Sequence, residues 1–230
     1  MLNPAGRVAM VSGASRGIGR RVVERLLAAG FSVSAGMRDP AKGHRAERLL
    51  THRYEAEEAG SAAAWAAATH GHFGRIDAVV NIAGINPRVL VAGDDEEALD
   101  RMWQVNVKGP LRVIRAALPQ LKASGSGRVI NLASLAGKRV GSNVGYAMTK
   151  FALVALTHGV RQELWDCGIR ACAICPGYVA TDMTVGETEV TREDMTQPQD
   201  LAEMVEMLLR LPNNFSMAEV LINCRRESML

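Results

Sequence analysis

Tyr146 and Lys150 in "YAMTK" put a phenol and an ammonium four residues apart, just ahead of an apolar run. Residues at that spacing share one face of a helix, so both groups point into the same cleft. An ordinary tyrosine, with a pKa of about 10, is a sluggish base near neutrality. Bringing it close to neutrality requires about 4 kcal/mol, and one ammonium some 4 Å away at an effective dielectric of about 20 supplies about that much. The spacing therefore predicts a tyrosine of lowered pKa that can exchange a proton with a bound group near neutrality. Ser134, at the end of "NLAS", stands twelve residues upstream at a strand end, although a loop serine is more often a turn former.

Such groups need a scaffold. Short apolar runs alternate with helical patterns along the chain, with strands expected at Arg7 to Ser12, Phe31 to Met37, His52 to Glu55, Ile76 to Ile82, Arg128 to Ala133, Ile169 to Ile174 and Glu219 to Asn223. Helices are expected at Ile18 to Ala29, Glu96 to Lys122, Val144 to Asp166 and Pro198 to Arg210. Alternation of strand and helix implies right-handed crossovers. The expected fold is α/β: a single doubly wound Rossmann domain over residues 1–230, its seven-stranded, mainly parallel sheet covered by helices on both faces. Ligands of such sheets bind beyond the carboxyl ends of the strands, which makes every residue just after a strand a candidate.

After the first strand comes "SGASRGIG", whose glycines permit a tight turn and bring backbone amides close to a pyrophosphate at a helix N-terminus. After the second comes "AGMRD". Met37 offers no carboxylate for an adenosine ribose, whereas Arg38, with Arg16 from the glycine turn, suits the 2′-phosphate of NADP; Asp39 remains an alternative ribose ligand for NAD.

With 230 residues, 48% hydrophobic and 22% charged, the chain has the balance of one globular unit. A net charge of +3, evenly scattered, argues against nucleic acid or a membrane surface as partner and for a small molecule. No run approaches the ~20 apolar residues of a membrane-spanning helix, and no cationic leader precedes "MLNPAGRVAMVSG", so a cytoplasmic location is expected. Cys172 and Cys175 form a CxxC, but within the apolar run "IRACAICPG" they fall on opposite faces of a strand, where they cannot share a metal. His70 and His72 are read as exposed loop histidines, and no metal is expected.

Taken together, "SGASRGIG", "NIAG", Asn106 in "VNVKG", Ser134, "YAMTK" and "PGYVAT" occur in the order found in short-chain dehydrogenases/reductases, and the chain resembles that family over nearly its whole length. The resemblance implies that Ser134, Tyr146 and Lys150 are catalytic and that Asn106 completes a tetrad by holding a proton-relay water. It further implies that Gly13, Ser15, Arg16, Gly17, Ile18 and Gly19 cradle the cofactor with Arg38. Asn81, Ala83 and Gly84 would line it, Pro176, Gly177, Val179 and Thr181 would flank the nicotinamide, and Lys150 would anchor its ribose. Ile82 and Ser12 depart mildly from the family pattern. The polar segment from Asp182 to Gln197 is expected to be a short substrate lid, with Met183 and Met195 as contacts or local packing. The ending "AEVLINCRRESML" lacks the glycine-rich tail of many relatives. A small carbonyl compound is the expected substrate and a 3-oxoacyl thioester the alternative; an NADP-sensing regulator is the reading of another class. Association into a homodimer or homotetramer through the two long helices follows from the resemblance, although Val105, Val113, Leu153 and Leu156 on them are equally explained by packing on the sheet.

Overall fold

A computed structural model describes residues 1–43 and 45–226; the last four residues of the tail lie outside this range. Seven strands, β1 (Val8–Ser12), β2 (Ser32–Met37), β3 (Leu49–Arg53), β4 (Ala78–Asn81), β5 (Arg128–Leu132), β6 (Arg170–Pro176) and β7 (Glu219–Ile222), form one sheet in the order β3-β2-β1-β4-β5-β6-β7. Every neighbouring pair is parallel. The order reverses direction between β1 and β4, which is where doubly wound sheets open a crevice for ligands.

Both faces are covered. Helices α1 (Gly17–Ala29) and α6 (Pro198–Arg210) pack on one face over Ala9, Val11, Val33 and Ala35. On the other, α2 (Ser61–Phe73), α4 (Gly109–Ala123) and α5 (Val144–Leu164) cover Met10, Val79 and Val129. Successive residues of β1 thus serve opposite cores, as the two-residue period of a strand requires. Each fully buried Val or Leu in them stabilises the fold by about 1.5–3 kcal/mol. The two cysteines of CxxC obey the same rule: Cys172 belongs to the α1/α6 side and Cys175 packs with Leu153 and Val154 of α5.

Three features differ from the sequence expectation. The residues around His70 and His72 form the end of α2, closed by Gly74 in the left-handed conformation, so these histidines are exposed but helical. Six of the thirteen residues of α2 are alanine, and its packing rests on Trp65, wholly buried, whose Nε1 donates to Ser34 Oγ at 2.9 Å. Strand β3 runs three residues ahead of the expected stretch, because Leu49 and Leu50 supply its half-buried positions beside Val33 and Ser34. The helix expected over Glu96 to Lys122 is divided: α3 (Glu96–Trp103) passes through a π-helical turn, Gln104–Lys108, into α4. Val105, Val113 and Leu153 are buried in the core, while Met148 and Phe151 are the large apolar groups that α5 leaves exposed.

Candidate active site

At the end of β1 the chain turns through Gly13 and Ser15 and enters α1 at Gly17. A Cβ on Gly19 would lie 2.2 Å from the Gly13 carbonyl oxygen, so this tight return of loop on helix admits no side chain. No side chain caps α1 and its first turn carries no acidic residue, which leaves its amides and the positive end of its dipole open to an anion. Ile18 packs its side chain against the core, so what it offers a ligand is its backbone. The Ser12 hydroxyl accepts from the amides of Ile82 and Ala83 at 3.0 and 3.2 Å, fastening the ends of β1 and β4 together.

Beyond β2, Arg38 is exposed and makes no hydrogen bond or ion pair among the described residues. Asp39 is otherwise engaged: its carboxylate caps the turn Pro40–Lys42 by accepting from Ala41 N at 3.1 Å. An open recess beside them is lined by Ser15, Arg20, Met37, Lys42, Gly43 and Thr51. Lys42 and Arg20 were not singled out in the sequence; the signal for Lys42 was a cation four residues past the Arg38 position, within reach of the strand end.

Asn81 is the last residue of β4, and its buried Oδ1 is left without a partner among the described residues. Its side chain is buried in the sheet, where Nδ2 donates to Asn131 Oδ1 at 2.9 Å, and Asn131 in turn donates to Thr157 of α5. Asparagine at a strand end here links β4, β5 and α5. Gly84 does face the site: a Cβ on it would lie 3.4 Å from Asn106 Oδ1 and 3.9 Å from Lys150 Nζ. Asn106 lies in the π turn, a form of helix common at functional sites. Its Oδ1 accepts from Ile85 N at 2.9 Å, and its Nδ2 donates to Ile85 O at 2.9 Å and to Thr149 Oγ1 at 3.1 Å.

Ser134 follows β5 and opens a short turn, Leu135–Gly137, by accepting from Ala136 N at 3.1 Å. A Cβ on Gly137 would lie 2.7 Å from the Lys150 carbonyl oxygen, so the turn rests directly on the backbone of α5. Ser134 Oγ donates to Pro176 O at 3.4 Å, and its hydroxyl lies close enough to the Tyr146 phenol to favour the phenolate. Lys150, one turn further along α5, sits with Nζ 5.4 Å from the centre of the Tyr146 ring. Ser134, Tyr146 and Lys150 are therefore brought together as expected.

Their electrostatics differ from the expectation. Burial pushes the Tyr146 phenol up to about 12, and hydrogen bonding to Ser134 only partly opposes this. Burial also pushes Lys150 down to about 8. The ammonium, 4% exposed, donates to the Leu132 carbonyl at 2.7 Å instead of facing the phenolic oxygen. Spacing put both groups on one face, but desolvation outweighs their mutual attraction in this state.

After β6, the Pro176-Gly177 turn is tied to β7 by Gly177 N donating to Ile222 O at 2.9 Å. The chain then returns across α1, and Val179 is buried. A Cβ on Gly17 would lie 3.5 Å from Thr181 Cγ2, so Thr181 borders the N-terminus of α1. The segment from Asp182 to Gln197 starts there with an exposed ion pair, Asp182 Oδ2 to Arg16 NH1 at 2.8 Å, and folds back to pair Val179 with Thr196. Within it Met195 is buried and Met183 is exposed. Among the described residues no cluster of three or more His, Cys, Asp or Glu is arranged to hold a metal ion, and no helix is long and apolar enough to cross a membrane.

This arrangement fits a dinucleotide: an open helix N-terminus for a pyrophosphate, cations beyond β2 for a further phosphate, and room over Gly84 toward Lys150. Comparison with known proteins agrees. Residues 7–192 match the short chain dehydrogenase family. Agropine synthesis reductase of Rhizobium rhizogenes is 40% identical over 229 residues, a match covering 96% of this chain and 53% of the relative; the chain thus spans about half the length of that relative. Among solved structures, 3-ketoacyl-(acyl-carrier-protein) reductase from Brucella melitensis, complexed with NADH, superposes with a TM-score of 0.85 at 26% identity, covering 95% of this chain and 96% of that one. A blue fluorescent protein from a metagenomic library, in complex with NADPH, gives 0.86 at 26% identity, covering 96% and 97%.

Proposed function

Because the chain belongs to the short-chain dehydrogenase/reductase family of oxidoreductases, we propose that it interconverts a carbonyl and a secondary alcohol, with Tyr146 as the acid and base. The observation that carries this reading is the grouping of the Tyr146 phenol with Ser134 and Lys150 beneath the open face of Gly84. The nicotinamide, when bound, supplies or accepts the hydride. With a pKa near 12, Tyr146 holds its proton at neutral pH and is ready to give it to a carbonyl oxygen. Ser134 donates a second hydrogen bond to that oxygen, and Lys150, protonated below about pH 8, stabilises the phenolate left behind. The Asn106 carboxamide is fully engaged with Ile85 and Thr149, so a relay water of the kind the family resemblance implies would be left to its main chain. The name of the reductase from Rhizobium rhizogenes supports the reducing direction.

NADP is the cofactor this reading favours over NAD. Among the described residues Arg38 makes no hydrogen bond or ion pair, Lys42 and Arg20 line the adjoining recess, and Asp39 caps the turn that follows it and pairs with Lys42 at 3.9 Å. We further read residues 1–230 as a single domain, the segment from Asp182 to Gln197 as a lid, and Met148 and Phe151 on α5 as part of a face on which copies associate, a point that light scattering decides.

The test follows NADPH and NADH absorbance against a panel of ketones, aldehydes and 3-oxoacyl thioesters, the last included because of the structural likeness to a ketoacyl reductase. Turnover of at least one compound is expected, and Tyr146→Phe is expected to lower kcat by about 10²–10⁴-fold with nucleotide affinity retained. Saturable NADPH binding without turnover of any compound would make the protein a nucleotide-sensing regulator instead.

A further inference from the structure

We propose that Asn143 is a positioning residue for Tyr146, acting by fastening the loop between β4 and α3 to the amino end of α5. This rests on the role given to Tyr146 above. Asn143 is the N-cap of α5, and its carboxamide makes four hydrogen bonds. Oδ1 accepts from Tyr146 N and from Val89 N, both at 3.2 Å. Nδ2 donates to Asn86 Oδ1 at 2.7 Å and to Pro87 O at 2.8 Å. Two backbone amides on one end and a backbone carbonyl on the other fix which end is oxygen.

Capping alone explains one of the four bonds. Serine, threonine or aspartate would cap as well, yet none of them both accepts from two amides and donates two N–H groups. The other three bonds go to residues 86–89, and a second clamp reaches the neighbouring residue. Asn106 holds both backbone groups of Ile85 and donates to Thr149, whose hydroxyl donates to the Tyr146 carbonyl at 2.8 Å. The amide and the carbonyl of Tyr146 are therefore each held by a side chain, and both lines lead to the same five residues, Ile85 to Val89. Loop and helix also touch directly: a Cβ on Gly145 would lie 2.7 Å from Val89 Cβ.

The first turn of a helix lacks internal acceptors for its amides and frays most easily, and Tyr146 lies in that turn. A loop splinted to it at both backbone groups holds the phenol at Ser134, where a displacement of about 1 Å would cost about 10²-fold in rate. The loop is the spacer, and Asn143 is its fastening.

Asn143→Ala removes cap and clamp together, whereas Asn143→Ser restores the cap but is too short to reach the loop. The two variants are compared with the wild-type protein by thermal unfolding, by amide hydrogen exchange in the peptides containing Val89 and Tyr146, and by kcat on the carbonyl compound best turned over by the wild type. Asn143→Ala should lower Tm by about 2–4 °C, and Asn143→Ser should recover it. Fast exchange at Val89 should persist in both, with kcat lowered at least tenfold in both and the NADPH dissociation constant unchanged. Recovery of kcat by Asn143→Ser, or unchanged exchange at Val89 in Asn143→Ala, would reduce Asn143 to an ordinary cap and overturn the proposal. Tyr146→Phe serves as the separate control: if it keeps its rate, the acid-base role fails, while the exchange measurements still decide whether the clamp exists.

Discussion

The two ends of the sheet are both polar, yet they treat their polar groups in opposite ways. At the amino ends of the strands, Asp77 is wholly buried. It accepts from Val8 N at 2.8 Å and from two nitrogens of Arg75 at 2.8 and 2.7 Å, with Arg7 3.8 Å away. Arg128 beside them, its pKa pushed down to about 10 by burial, donates to the Gly127 and Leu211 carbonyls, and Arg170 donates to Asn213 O while stacking on Trp165. These cations fasten the loops between elements. At the carboxyl ends, by contrast, no side chain caps the N-terminus of α1 and Arg38 has no partner among the described residues. Polar groups paired within the chain hold the fold, although Arg7 Nε and Arg128 Nε stay without a partner among the described residues, and the groups left open at the carboxyl ends are the ones offered to a ligand.

That contrast can be broken most forcefully at Asp77. Asp77→Ala leaves the largely buried Arg7 without its carboxylate and should cost about 3–5 kcal/mol, a fall in Tm of roughly 10 °C, with NADPH affinity unchanged in protein that remains folded. A weakened affinity at unchanged Tm would show the two ends to be one functional unit. Arg38→Ala tests the open end: the KM for NADPH should rise about tenfold and that for NADH stay level, with Tm unmoved. Equal effects on both nucleotides would remove Arg38 from the phosphate site. The smallest effect belongs to Lys150, which is buried like the Asp77 group but placed among the open ones. Its pKa in the folded protein, about 8, lies below the ordinary 10.5, so between these values the unfolded chain binds the extra proton. The buried Cys172 and Cys175, pushed up to about 12 and 11, lower stability above about pH 9, so the lysine is read as a difference: the Tm of the wild type relative to Lys150→Met should rise by a few °C as pH increases across that window. A flat difference between the two proteins would mean that the ammonium is solvated.

Much of this was legible before any coordinates. The strands announced themselves as apolar runs, and Ser134, Tyr146 and Lys150 meet because each follows a strand or opens a helix whose periodicity was plain. What escaped notice had weak or ambiguous patterns. Helix α2 hides its apolar stripe among alanines, and the π turn that holds Asn106 changes no residue type. Spacing placed Lys150 on the face of Tyr146 but not its ammonium, which a backbone carbonyl at Leu132 captures. Asn81 occupies a strand end, where its buried side chain bonds to Asn131 of β5. Asn143 carried a usable signal, an asparagine immediately ahead of a helical run, which the cap rule would have found.

The hydroxyl of Ser12 reaches amides 70 and 71 positions later in the chain. During synthesis the nucleotide turn therefore cannot take its final shape when its own glycines emerge. Its fastening is complete only when β4 lies beside β1, on the side opposite β2. Nucleotide binding in a refolding chain is thus expected to appear no earlier than the pairing of β4 with β1.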